Sequence, residues 1–173
     1  MKSFIQDIAS RLSEVWRSPD HARRGHTHRC QCERPVFFRN SQCLGCGAAL
    51  GYVPDAGEVR ALLSGPDKGT WLLSGETSPS AAYRRCANFD TPAGCNWLVP
   101  AGDESALCVA CRLNRTIPDL ADADNQRYWR AIENAKRRLV AQLLALGLPV
   151  KSKVSETDSP GRNFATDGAR ATT

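Results

Sequence analysis

The stretch Cys30-Gln31-Cys32-Glu33-Arg34-Pro35-Val36-Phe37-Phe38-Arg39-Asn40-Ser41-Gln42-Cys43-Leu44-Gly45-Cys46-Gly47 sets two short cysteine pairs ten residues apart on either side of an apolar run. Val36-Phe37-Phe38 reads as a strand. A tetrahedral thiolate site needs this arrangement: two close pairs that each wrap one side of a metal ion, and a hairpin that brings the pairs together. In Cys43-Leu44-Gly45-Cys46-Gly47 the glycines permit positive φ, so backbone N–H groups can turn toward the sulfurs and offset their negative charge. The partner half is less regular. Cys30-Gln31-Cys32 has one intervening residue, and Glu33 follows where a glycine would turn most easily. His28 is an alternative ligand in place of one thiolate, since imidazole also binds zinc well.

Four further cysteines, Cys86, Cys95, Cys108 and Cys111, follow a cysteine-free gap of 39 residues, with eight, twelve and two residues between successive members. Cys108-Val109-Ala110-Cys111 is a compact knuckle. Between Cys86 and Cys95 lie Asp90, Pro92 and Gly94, which favour a turn that returns the chain to the metal. Eight cysteines grouped in this way predict two structural Zn²⁺ ions held in a zinc-ribbon layout, with iron as the alternative metal. Four thiolates per site leave no open position for water or substrate. His21, His26 and His28 all precede the first cysteine and show no H-E-x-x-H spacing, so the chain carries no recognisable catalytic metal centre. A thiol redox switch is a further reading, which requires exposed, low-pKa cysteines and reversible zinc release.

At 173 residues the chain accommodates one domain or two small modules with a shared core, and no run approaches the apolar length of a membrane helix. Free or metal-bound thiols place it in a reducing, cytoplasmic setting. The formal net charge of +5 suggests an acidic partner such as nucleic acid. Metal changes that inference: a zinc ion with four thiolates carries −2, so two such sites bring the total to about +1. Arg29, Arg84, Arg85 and Arg112, each within two residues of a cysteine, are expected to balance thiolate charge, with phosphate binding as the competing role.

Outside the cysteine groups, Ser3 and Gln6 form a capping box. Phe4, Ile5, Ile8, Leu12, Val15 and Trp16 then share one face of an expected amphipathic helix over 4–17. A basic linker continues to residue 28. Glu58 to Leu63 and Thr70 to Leu73, joined by Ser64-Gly65-Pro66-Asp67-Lys68-Gly69, predict a β-hairpin, and Gly75 to Ala82 a surface linker. A long helix spans about 125–146, with Asp122 or Asp124 as N-cap and Gly147 and Pro149 as stop signals. Tyr128, Ile132, Ala135, Leu139, Leu143 and Leu146 form its apolar stripe, widened by Trp129, Val140 and Leu144. Arg127, Arg130, Arg137 and Arg138 lie off that stripe, on an expected solvated face where Glu133 pairs with Arg137. Residues 149–173 read as a disordered tail.

The residues from Cys30 to Tyr52 resemble the amino-terminal zinc ribbon of the bacterial zinc-binding metallopeptidase family. Cys95-Asn96-Trp97-Leu98-Val99-Pro100 and the run from Leu107 to Leu120, which includes Arg112-Leu113-Asn114-Arg115-Thr116-Ile117-Pro118, are similar to its second cysteine module. Ala135-Lys136-Arg137-Arg138-Leu139 and Leu146-Gly147-Leu148-Pro149 extend the resemblance to about Arg29–Pro149. That family continues into a larger domain with an H-E-x-x-H-like site, a motif this chain lacks. The resemblance therefore implies either a truncated copy or a shortened protein that acts by binding alone.

The resulting expectation is a small α+β zinc-ribbon protein built from two four-cysteine modules with short β-hairpins and a helix at each end. Its segments are 1–28, 29–53, 54–85, 86–120, 121–148 and 149–173. The eight cysteines bind two structural zinc ions, and the chain is not itself an enzyme. Its helix over 125–146 offers a surface for a protein partner or for self-association. The alternatives are a nucleic-acid-binding ribbon that uses Arg127, Arg130, Arg137 and Arg138, and a regulatory part of a metallopeptidase whose catalytic domain is separate.

Overall fold

A computed structural model of the chain describes residues 10, 27–76 and 82–151. Apart from Ser10, the expected N-terminal helix lies outside the described residues, as do most of the expected linker before Tyr83 and the tail from residue 152. Seven strands, a short 3₁₀ turn at Cys111–Leu113 and one long helix, α1 (Ala123–Ala145), make up the described α+β fold. Strands β1 (Thr27–Arg29) and β2 (Pro35–Phe37) pair antiparallel, with His28 opposite Val36. Strands β3 (Leu50–Val53), β4 (Glu58–Ser64), β5 (Thr70–Leu73), β6 (Tyr83–Arg85) and β7 (Leu98–Pro100) form a second sheet in chain order, each antiparallel to the next.

The expected hairpin is β4–β5, and it is part of this larger sheet. Strand β4 pairs with β3 through Ala61 opposite Leu50, then with β5 through Leu62 opposite Leu73. Consecutive Ala61 and Leu62 are both buried, so the inside–outside alternation of a strand breaks where the partner changes. The sheet curls so that its first and last strands meet. Tyr52 N–H donates to the Asn96 carbonyl at 2.9 Å, and Tyr52 bridges Trp97 in parallel register. Gly51 occupies the crossing because a Cβ there would sit 2.6 Å from Leu98 Cδ2.

The curl gives the two cysteine modules one core. Cys30, Val36 and Cys43 share a cluster with Cys86, Cys95, Cys108 and Cys111, centred on Trp97, which is fully buried. Tyr52 lies 4.6 Å from Trp97 between ring centroids, and Phe38 presents its edge to both rings. Asn96 fastens the same junction by donating through Nδ2 to the carbonyls of Phe38 at 2.9 Å and Asn40 at 3.0 Å. Full burial of a side chain such as Leu50 or Val59 contributes about 1.5–3 kcal/mol, so the modules stabilise each other through surface that neither could cover alone.

Helix α1 begins at Asp122, whose Oδ1 accepts from Asn125 N–H at 2.8 Å. It ends in a Schellman motif: Leu148 N–H donates to the Leu143 carbonyl and Gly147 N–H to that of Leu144, with Gly147 at φ +65°. Its buried face differs from the expected stripe. Trp129, Glu133, Arg137 and Val140 face inward, whereas Tyr128, Ile132 and Leu139 are 57%, 58% and 55% exposed. Relative to the apolar stripe the helix is turned by about one residue, roughly 100°.

The reason lies on the second module, which supplies fixed partners for the charged side chains. Arg137, expected on the solvated face, is 2% exposed and donates to the Ala93 carbonyl at 2.9 Å and to Asn134 Oδ1 at 2.6 Å. Arg130 donates to the Pro92 carbonyl at 3.0 Å, and Lys136 to Asn114 Oδ1. Glu133, fully buried, accepts from Lys136 at 2.6 Å and lies 3.9 Å from Arg137. Buried charge is tolerated where partners neutralise it, and these partners outweigh the pattern of apolar positions.

Candidate metal centres

The sulfurs of Cys30, Cys32, Cys43 and Cys46 lie within 4.8 Å of one another, as do those of Cys86, Cys95, Cys108 and Cys111. The first tetrad is built from two loops. Cys30 follows β1, and its N–H donates to the Arg34 carbonyl at 3.0 Å, which closes a tight turn with Glu33 in the left-handed region at φ +63°. Cys43 and Cys46 sit on the opposite loop, where Gly47 N–H donates to the Cys43 carbonyl at 2.8 Å and Gly47 has φ +74°. Across the site the Cys30–Cys46 sulfurs are 3.6 Å apart and the Cys32–Cys43 sulfurs 3.7 Å.

The second tetrad draws on three segments. Cys86 continues β6, and its N–H donates to the Trp97 carbonyl at 3.1 Å. Cys95 is returned to the site by the turn through Pro92, where Gly94 N–H donates to Thr91 O and Cys95 N–H to Asn88 O. Cys108 and Cys111 flank the knuckle that opens the 3₁₀ turn. Cys108 N–H points at the Cys86 sulfur at 3.4 Å, and the Cys95 and Cys108 sulfurs are 3.7 Å apart.

These separations fit zinc. Four sulfurs at the Zn–S bond length of about 2.3 Å on a tetrahedron stand about 3.8 Å from one another, whereas a disulfide needs about 2.05 Å. All eight cysteines are free thiols. The protein environment also prepares the thiolates. The N–H groups of Cys46 and Gly45 lower the Cys43 thiol to about 6, as the glycine-rich knuckle leads one to expect, while burial pushes Cys30 up to about 12. Hydrogen bonds from Cys108, Cys111 and Cys95 lower Cys86. Metal binding requires the thiolate form, so a divalent ion bound at either site displaces the protons that remain.

The two centres differ in cover. Cys32 and Cys46 reach the surface, as does neighbouring Leu44 at 96% exposure, whereas no cysteine of the second tetrad exceeds 1%. His28 does not join the four sulfurs, and its ring lies edge-on to Tyr52 at 6.5 Å.

The arginines near the cysteines have partners of their own. Arg29 donates to the Glu33 carbonyl and Arg84 to that of Asp103. Arg85 lies over the Phe89 and Trp71 rings at 4.0 and 5.1 Å, and Arg112 pairs with Asp103 at 2.5 Å. Of the helix arginines, Arg137 is buried, Arg130 is engaged with Pro92 and Arg127 pairs with Asp124 at 3.2 Å, while Arg138 is exposed. Among the described residues no helix is long and apolar enough to cross a membrane.

A family model described as a zinc-ribbon domain matches residues 27–122, which include both tetrads. An uncharacterized protein of Mycobacterium tuberculosis and one of Mycobacterium bovis are each 33% identical to this chain over 131 residues, 76% of its length. The chain spans about a third of the length of these curated relatives, 34% of each. No solved structure matches it.

Proposed function

Because this chain belongs to the zinc-ribbon domain family, we propose that it is a non-catalytic interaction module: two structural zinc ions, held by Cys30, Cys32, Cys43 and Cys46 and by Cys86, Cys95, Cys108 and Cys111, set a platform that presents α1 to a protein partner or a second copy. Four thiolates close each coordination sphere, so the metal contributes folding free energy and does not activate water. The observation that carries the interaction reading is the polarity of α1. It buries Glu133 and Arg137 and turns Tyr128, Ile132 and Leu139 outward. Tyr128 and Ile132, with Thr116, Pro118, Asp119, Asn125 and Trp129, line a largely apolar groove of about 500 Å³. An exposed apolar surface of this kind is characteristic of docking sites.

On this reading the module works alongside a separate catalytic domain, as the resemblance to the amino-terminal region of zinc-binding metallopeptidases implies. Free thiols suit a reducing compartment such as the cytoplasm.

Native mass spectrometry tests the metal half of the reading, with two zinc ions per chain expected. Exhaustive chelation is expected to abolish the near-ultraviolet signal of Tyr52 and Trp97, since six cysteines belong to the cluster around them. Fewer than two metal equivalents, or a fold that survives chelation unchanged, overturns the reading.

A further inference from the structure

The two tetrads are matched in sulfur geometry and unmatched in access. Cys30 and Cys46 in the first are 3.6 Å apart, and Cys95 and Cys108 in the second 3.7 Å, so each centre holds a pair that could join with a small movement. In the first, Cys46 lies on the exposed loop Leu44–Gly47 and Cys32 also reaches the surface. In the second, every sulfur is sealed beneath the shared core. Thiolate reactivity requires both ionisation and an approach path, and zinc coordination supplies ionisation equally at both centres. Access is therefore the variable that separates them.

We propose that the first centre is a thiol-modification site for hydroperoxides, at which Cys46 is oxidised and zinc is released while the second centre stays loaded. The Cys46 thiolate attacks the terminal O–O bond of the peroxide, forming an S–O bond and expelling an alkoxide, or hydroxide from hydrogen peroxide. The Cys30 thiolate then attacks the sulfenic sulfur, forming the Cys30–Cys46 disulfide and releasing the sulfenic oxygen as water after protonation by solvent. Two thiolates have lost two electrons, and the peroxide has been reduced by two. Zinc, left with two of its four ligands, dissociates. A dithiol reductant reverses the step by thiol–disulfide exchange and restores the four-thiolate site.

The inference rests on the zinc reading above, and the experiment separates the two. The zinc-loaded chain is first weighed by native mass spectrometry, and fewer than two zinc ions at that point overturns both. It is then treated with hydrogen peroxide and followed by native mass and peptide mapping. The expected product has lost one zinc, carries the Cys30–Cys46 disulfide and so weighs two hydrogens less than the reduced chain with one zinc, and retains the second zinc; loss from the first centre is at least about tenfold faster. Dithiothreitol with added zinc returns the starting mass. Simultaneous loss of both ions, first oxidation within Cys86, Cys95, Cys108 and Cys111, or retention of both ions under excess peroxide overturns the proposal while leaving the zinc reading intact.

Discussion

Arg137 donates through Nη2 to the carbonyl oxygen of Ala93 at 2.9 Å, across 44 residues of sequence, and so ties the middle of α1 to the turn that delivers Cys95 to the second tetrad. Helix and metal centre thereby share one support. Glu133 beneath this bond is fully buried and is held from the other side by Lys136 at 2.6 Å.

Removal of Arg137 alone should therefore cost more than removal of the pair. Arg137→Ala leaves Glu133 buried with Lys136 as its remaining cation and takes the donor from Ala93. The expected loss is about 3 kcal/mol, at the lower end of the range for breaking a buried pair because Lys136 remains. Replacing both charges, as in Glu133→Leu with Arg137→Met, should cost less than Arg137→Ala. Urea unfolding of the zinc-loaded variants measures this, and a single-variant loss below about 1 kcal/mol would show that the buried charges contribute little.

At the crossing of β3 with β7, Gly51 is required by close approach. An added Cβ meets Leu98 Cδ2 at 2.6 Å and Cγ at 2.7 Å, and Leu98 is itself 1% exposed with no room to withdraw. Gly51→Ala should destabilise by about 1–3 kcal/mol, the usual cost of overpacking. Leu98→Ala in the same chain should be less harmful than it is alone, because the two volumes compensate. Additive losses in thermal melts would contradict the contact.

Glu33 is the position where sequence alone asks for glycine, and the structure places it at φ +63°. An L-residue in that region costs about 1–2 kcal/mol, offset in part by the greater unfolded-state entropy of glycine. Its ion pair with Arg29, at 4.0 Å and largely exposed, contributes little. Glu33→Gly should therefore raise stability by about 0.5–1 kcal/mol, whereas Glu33→Val, β-branched and ill-suited to this region, should lower it. Equal effects of the two changes would mean that backbone conformation at this turn is not the controlling factor.

The cysteine tetrads were legible because each depends on chemistry written into short segments: paired thiols, glycines beside them, and turns that close on themselves. The β4–β5 hairpin was legible for the same reason, with its turn residues between two apolar runs. The closure of β3 on the segment before β7 was not, since Tyr52 and Trp97 stand in different modules and nothing local to either names the other. The orientation of α1 was hidden in the same way. Apolar periodicity favours Tyr128, Ile132 and Leu139, but the carbonyls of Pro92 and Ala93 and the Asn114 side chain decide the buried face, and all three lie outside the helix.

The displaced stripe on α1 leads to the last prediction. Tyr128, Ile132, Ala135 and Leu139 recur at intervals of four, three and four residues, the spacing at which two helices pack along a seam. All four are exposed. If this face docks a second copy, light scattering of the zinc-loaded chain should give a mass above that of the monomer, and Ile132→Glu or Leu139→Glu should return it to the monomer. Because both side chains are more than half exposed, neither change should alter the stability of the isolated fold by more than about 0.5 kcal/mol. Val140→Glu is the control, since it strikes the 2% exposed side chain that anchors α1 to the shared core and should unfold the chain instead of merely dissociating it. A wild-type chain that remains monomeric at all accessible concentrations would exclude self-association through this face.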